Sequence, residues 1–153
     1  MNLLITPSEV VSLAFSGEEL VRKQVITEFD ILEAEECYVR PILGATLYEA
    51  LIAKRYPTLL SDYVLPALAA WCRYVVHPHL DSRCYECHES QSRSSSMNEH
   101  DRRLWLRLRR KASTLSRRLS EHLNGHCDDY PEYNPLNNPL NRCSIYGDIV
   151  QIF

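Results

Sequence analysis

Glycine is scarce in this 153-residue chain, and Gly17, Gly44, Gly125 and Gly147 each stand alone. No glycine-rich turn exists to cradle a phosphate, which argues against nucleotide hydrolysis through such a loop. No uninterrupted apolar run reaches the roughly twenty residues of a membrane helix. The first residues, Met1 to Pro7, hold neither a basic region nor a long apolar segment. The expectation is a protein that folds in the cytosol with no membrane partner. Also missing is a Cys or Ser set beside a base in any recognised local signature. No reaction is named, so the chain is read as a non-enzyme with no cofactor.

What is present suits a single folded unit. Hydrophobic residues make up 45% of the chain and charged residues 24%, an ordinary balance for a domain with a real core. Six cysteines, at 37, 72, 84, 87, 127 and 143, are read as reduced thiols because no secretory signal accompanies them. The net charge of −3 hides a segregation. Residues 1–76 carry six Lys/Arg against ten Asp/Glu, 93–118 carry nine against two, and 119–153 carry one against five. Regions of opposite sign can pair within one chain or between copies.

The local pattern predicts an all-α fold: a bundle of four to five helices, a polar loop, and an extended C-terminal arm. Thr6-Pro7-Ser8-Glu9 is a capping box that opens a short helix to about residue 15. A second helix is expected over 18–39, with Thr27 as a candidate break, Leu20, Ile31, Ala34, Tyr38 and Val39 apolar and Glu28, Glu33, Glu35 and Glu36 solvated. Pro41 is read as its stop. Gly44 permits a tight turn, and a short helix follows over 46–55. Residues 63–76 are apolar nearly all round, as a central helix would be, with Pro66 in the first turn and Pro78 ending or kinking it. After a polar stretch at 89–99, Leu104, Leu108, Ala112, Leu115, Leu119 and Leu123 recur at helical spacing, and Asn124-Gly125 ends that helix. Residues 1–125 are assigned to the helical domain. Residues 126–153 form a Pro/Asn-rich arm whose last run, 144–153, reads as a strand, with Ile149, Val150, Ile152 and Phe153 as residues that could pair with a neighbouring chain.

Three clusters invite chemistry. His77 and His79, with Cys84 and Cys87, have residue types and spacing that suit a tetrahedral zinc site, against the plainer reading of ordinary residues near a helix end. The Cys84 to His88 run also matches the attachment pattern for c-type haem, which requires export and is set aside. The acids of 28–36 are splayed around a helix and read as a solvated face rather than a divalent-ion site. The basic helix 102–118, with Arg103, Arg107, Arg110 and Arg117 away from its leucines, can neutralise phosphates, and Trp105 could stack on a base. It can equally pair with acidic helices of the same or an adjacent subunit.

The segment from Ile26 to Leu51 has a further character. An amphipathic helix bearing Ala34 and Tyr38 runs into Pro41, a Leu43-Gly44 turn and a Leu47-Tyr48-x-x-Leu51 helix. This resembles the helical head-tail connector (adaptor) proteins of tailed bacteriophages. Leu65-Pro66-Ala67-Leu68-Ala69, and the Leu119 to Leu123 stretch followed by Tyr130-Pro131-Glu132-Tyr133, are similar to versions found in phages of gut bacteria, including crAss-like phages. The resemblance spans most of residues 5–135 and rests on loose helix-packing patterns. It implies a homo-oligomeric ring, usually dodecameric, in the virion beneath the portal protein, joined to further tail or ring proteins around the DNA channel and assembled in the host cytoplasm. It carries no catalytic residues, and it makes Pro41, Gly44 and Tyr48 architectural. Some arginines of the basic helix would then face DNA without reading bases. The alternatives are a small nucleic-acid-binding or regulatory module, or a zinc-stabilised helical domain.

Overall fold

Thr6 and Thr27 open the first two helices in the same way. The Thr6 hydroxyl accepts the Glu9 N–H while the Glu9 carboxylate accepts the Thr6 N–H at 2.8 Å, and Thr27 and Asp30 repeat the exchange at 3.3 and 2.8 Å. Each exchange satisfies orphan backbone donors at a helix start. The computed structural model describes residues 3–15, 25–80, 99–146 and 149–152, with the backbone alone for the last two strands. Helix α1 is Pro7–Ala14 and α2 is Glu28–Ala34. The part of the expected second helix at 18–24 lies outside the described residues.

Pro41 does not stop α2. The helix continues through a π-helical turn, Glu35–Val39, into α3, Arg40–Leu43, and ends at Gly44. Proline lacks the N–H for an i→i−4 bond, and its ring collides with the carbonyl four residues back in an α turn. The wider π turn, in which the Arg40 N–H bonds Glu35 O, lies directly before the proline and relieves that crowding. Gly44 takes φ 76°, a left-handed conformation that favours glycine, and donates its N–H to Arg40 O at 2.9 Å. The turn therefore falls at Gly44, three residues after Pro41.

The same device recurs in the central helix. Helix α4, Ala45–Ile52, is three residues shorter at its end than expected, and α5, Pro57–Leu59, leads through a second π turn, Leu60–Val64, into α6, Leu65–Val76. Pro66 is thus interior to a helix that starts at Pro57, not in its first turn. Again the π turn ends two residues before the proline, with the Leu65 N–H on Leu60 O. A 3-10 turn, His77–His79, tightens the end around Pro78. Pro57–His79 is long and apolar enough, by length and composition, to cross a membrane, and half of it is buried within the fold, as in a core helix.

Helix α6 buries Ala67, Leu68, Ala69, Ala70, Trp71, Cys72 and Val76, and packs against α1, α2 and the long helix α7, Glu99–Gly125. Its run of alanines lets those neighbours approach closely. From α7 the leucine stripe delivers Leu108, Ala112, Leu119 and Leu123 to the core, as the spacing predicts, and Leu104 and Leu115 are half-buried. Trp71 stacks on Tyr38 at 3.8 Å between ring centres and donates its indole N–H to Ser116 Oγ at 2.8 Å. One side chain thus joins the α2 extension, α6 and α7.

The Pro/Asn-rich stretch read as an extended arm lies against the bundle as far as residue 142. Two 3-10 turns, Cys127–Asp129 and Pro139–Asn141, shape it, and Tyr133 enters the core. Buried Asn138 donates to Ser120 Oγ and to the Tyr133 hydroxyl, both at 2.8 Å, and Tyr133 donates to Asn124 Oδ1 at 2.8 Å. Glu132 accepts from Arg55 and from the Tyr56 hydroxyl, each at 2.6 Å, which ties the stretch to the α4–α5 connection. Beyond it, β1, Cys143–Tyr146, and β2, Ile149–Ile152, form an antiparallel ladder that pairs Tyr146 with Ile149, Ile145 with Val150 and Cys143 with Ile152. Phe153 lies outside the described residues.

Leu119 is fully buried in this packing and Leu136 is 83% exposed. Leu119→Ala should cost about 2–5 kcal/mol in urea unfolding, from lost burial plus the cavity left behind. Leu136→Ala should change stability by less than about 0.5 kcal/mol.

Candidate assembly surfaces

The basic helix presents its cations outward. Arg103, Arg107, Arg110 and Arg117 are all exposed, at i, i+4, i+7 and i+14, which places them along one face of α7. Arg103 meets Glu99 of its own helix at 3.0 Å. Among the described residues, Arg107, Arg110, Lys111 and Arg117 make no salt bridge. Trp105 is already engaged: it stacks on Tyr74 at 4.9 Å and points its indole N–H at Tyr74 O, 3.3 Å away. The half-buried ring is held against Tyr74, and the exposed cations of the face suit phosphate-type or carboxylate-type partners.

A second surface is acidic. On α2 and its π extension, Glu28, Phe29, Glu33 and Glu36 are exposed, and Phe29 is 76% exposed among those carboxylates. Glu36 pairs with Arg40 one turn on, while Glu28 and Glu33 make no salt bridge among the described residues. Sequence reasoning identified the acids and overlooked Phe29, which the helical pattern alone does not mark as exposed.

Glu35 departs from that solvated face. Its side chain is fully buried, where Oε1 accepts the Leu4 N–H at 2.8 Å and Oε2 accepts the Tyr48 hydroxyl at 2.6 Å. Glu35 follows buried Ile31 by four residues and so lies on the inward side of the helix, while Glu36 stays in water. Burial pushes the Glu35 carboxyl above its usual range, more strongly than its hydrogen bonds from Tyr48 and Leu4 pull it down. Tyr48 is raised as well, first by burial and then by its bond to Glu35. Arg40 lies over the Tyr48 ring at 5.1 Å. Through its bonds from Leu4 and Tyr48, Glu35 ties the N-terminal segment and α4 to the π turn that follows α2.

Two concavities border these surfaces. A cleft of about 310 Å³ lies between α2, the end of α6 and α7, lined by Asp30, Glu33, Tyr38, Tyr74, His79 and Trp105 among others. Asp30 is buried and engaged at the start of α2. A smaller groove of about 210 Å³ has α6 as its floor and α1 and α7 as its walls. Leu13, Pro66, Ala70, Leu108 and Leu115 make it apolar, and Arg73 and Lys111 give it a basic rim. Of the residues in the zinc reading, His77 and His79 sit on the 3-10 turn that ends the central helix, and Cys84 and Cys87 lie outside the described residues. Cys72 is buried among core residues, its thiol pushed up chiefly by burial, whereas Cys37 is exposed and Cys127 half-buried; all three are free thiols.

No protein-family model, curated protein or solved structure matches the chain.

Glu35 gives a test with a sign. Its folded-state carboxyl titrates above the usual 4.5, so this group's contribution to stability is greatest below that value and declines as pH rises through the folded one. Glu35→Gln, which cannot ionise, should gain on the wild type as pH is raised from 4 to 8 in paired urea titrations. Glu35→Leu should lose about 1–3 kcal/mol across that range, because the Leu4 N–H and Tyr48 hydroxyl are left without an acceptor.

Proposed function

We propose that the chain is a structural assembly subunit, and that its assembly is a head-tail connector ring of a tailed bacteriophage, seated in the virion beneath the portal protein and bound to further tail or ring proteins. The observation that carries the assembly reading is the pair of unneutralised surfaces: exposed Glu28 and Glu33 on α2, and exposed Arg107, Arg110, Lys111 and Arg117 on α7. A surface of each sign on one chain favours contact between different patches of neighbouring copies. Such heterologous contacts close into rings when the rotation permits. The connector reading adds the resemblance over residues 26–51, in which Pro41, Gly44 and Tyr48 hold the helix, turn and helix that give it its character.

Copies held by these charges should separate as salt screens them. In mass photometry, oligomers of the full chain should be more abundant at 50 mM than at 500 mM salt. Arg107→Glu with Arg110→Glu should reduce them at least about tenfold in apparent affinity, as close charge pairs across an interface do. A strictly monomeric protein at low salt, with portal protein present, would rule the reading out.

A second reading rests on the same basic face. Four outward cations on one helix can track a phosphate backbone without base readout. Single- or double-stranded DNA should then bind with a steep salt dependence, and Arg107→Ala with Arg110→Ala should lower the logarithmic slope by about 2. No retention of DNA at low salt would eliminate it.

A further inference from the structure

Among the described residues, four large hydrophobic side chains are conspicuously exposed: Leu13 at 49%, Phe29 at 76%, Leu106 at 40% and Leu136 at 83%. Their surroundings differ. Leu136 lies in the proline- and asparagine-rich stretch, between Pro135 and Asn137, with no free charge beside it. Leu106 belongs to the basic face itself, next to Arg107. Phe29 projects among unneutralised Glu28 and Glu33, and Leu13 forms one wall of the apolar groove whose rim carries Arg73 and Lys111. One is an apolar knob in an acidic setting; the other is an apolar slot in a basic one.

We infer that the groove between α1, α6 and α7 receives Phe29 of a second copy of this chain, with Glu28 and Glu33 of that copy meeting Lys111 and the arginines beside it. The inference rests on the self-assembly reading above and specifies the contact that would carry it. Size agrees: about 210 Å³ is below the 300–1,000 Å³ range of small-molecule pockets and suits one aromatic side chain. Charge agrees as well. Arg107 precedes Lys111 by one helical turn on the outer flank of Leu108 and Leu115, so carboxylates entering around the ring meet cations that make no salt bridge among the described residues. A central aromatic with a charged surround is the usual form of an interface anchor. The knob is on α2 and the slot on α1, α6 and α7, so each copy offers one of each, and the contact is heterologous.

The decisive comparison uses the full chain and three variants in sedimentation velocity at 50 mM salt. Phe29→Ser removes the knob and Leu13→Asp with Lys111→Glu closes the slot to an acidic partner, each at exposed positions that leave the core intact. Either variant alone should associate roughly thirtyfold more weakly than the wild type, as expected when an anchor is lost. An equimolar mixture should recover association but stop at two chains, since one knob and one slot remain. Phe29→Leu should retain most of the wild-type affinity, and thermal melts should show all variants folded. If Phe29→Ser assembles as the wild type does, the groove is not the receptor, although self-assembly stands. If the wild type is monomeric under every condition, both the self-assembly reading and this contact fall.

Discussion

Helix α6 has almost no face to give to solvent, and the remaining helices are where they are because that helix must be covered. Ala67, Leu68, Ala69, Ala70, Trp71, Cys72 and Val76 span every side of three turns, so α1, α2 and α7 each find an apolar wall to bury against. An alternating pattern of large and small residues would have allowed fewer neighbours. The consequence reaches the surface: the groove exists because α1 and α7 meet α6 without meeting each other above Pro66 and Ala70. Its apolar floor is core that the fold left uncovered.

The parts of this arrangement that were legible in the sequence depend on short-range rules. Thr6 with Glu9 marks a helix start by chemistry contained within four residues, and the α7 leucines mark a buried stripe by period alone. What escaped depends on contacts and on a widened turn. Glu35 follows Ile31 by four residues onto the buried side of the helix, where the Leu4 N–H and Tyr48 hydroxyl accommodate its carboxylate, and Pro41 looks like a stop until the π turn makes room for it. Neither π turn announces itself in composition. Asn138 was hidden for a different reason: a proline-rich, asparagine-rich stretch ordinarily signals loop, and only its bonds to Tyr133 nearby and to Ser120 on α7 turn it into packed structure. The partner of Trp105, Tyr74, comes from a helix thirty-one residues away, a contact that no local pattern marks.

Charge in this protein is organised by helix rather than by residue. Glu9, Glu99 and Glu132 are absorbed locally, by a cap, by neighbouring arginines one turn away, and by Arg55 with Tyr56. Among the described residues, Arg107, Arg110, Lys111 and Arg117 of α7 and Glu28 and Glu33 of α2 make no salt bridge. Within one helix, a row of like charges is mildly destabilising. Segregation of this sort contributes little to the fold and much to the choice of what the folded chain meets.

The two π turns also bear on how such a chain can change. Each holds one residue more than an α turn requires, and each lies immediately before a proline. Deleting a residue from 35–39 or 60–64 would turn the i→i−5 turn into an ordinary α turn and leave the phase of the helix nearly unchanged. Pro41 or Pro66 would then press on the carbonyl four residues back. The extra residue in each segment is therefore tied to the proline that follows it, and the two are expected to be lost or kept together.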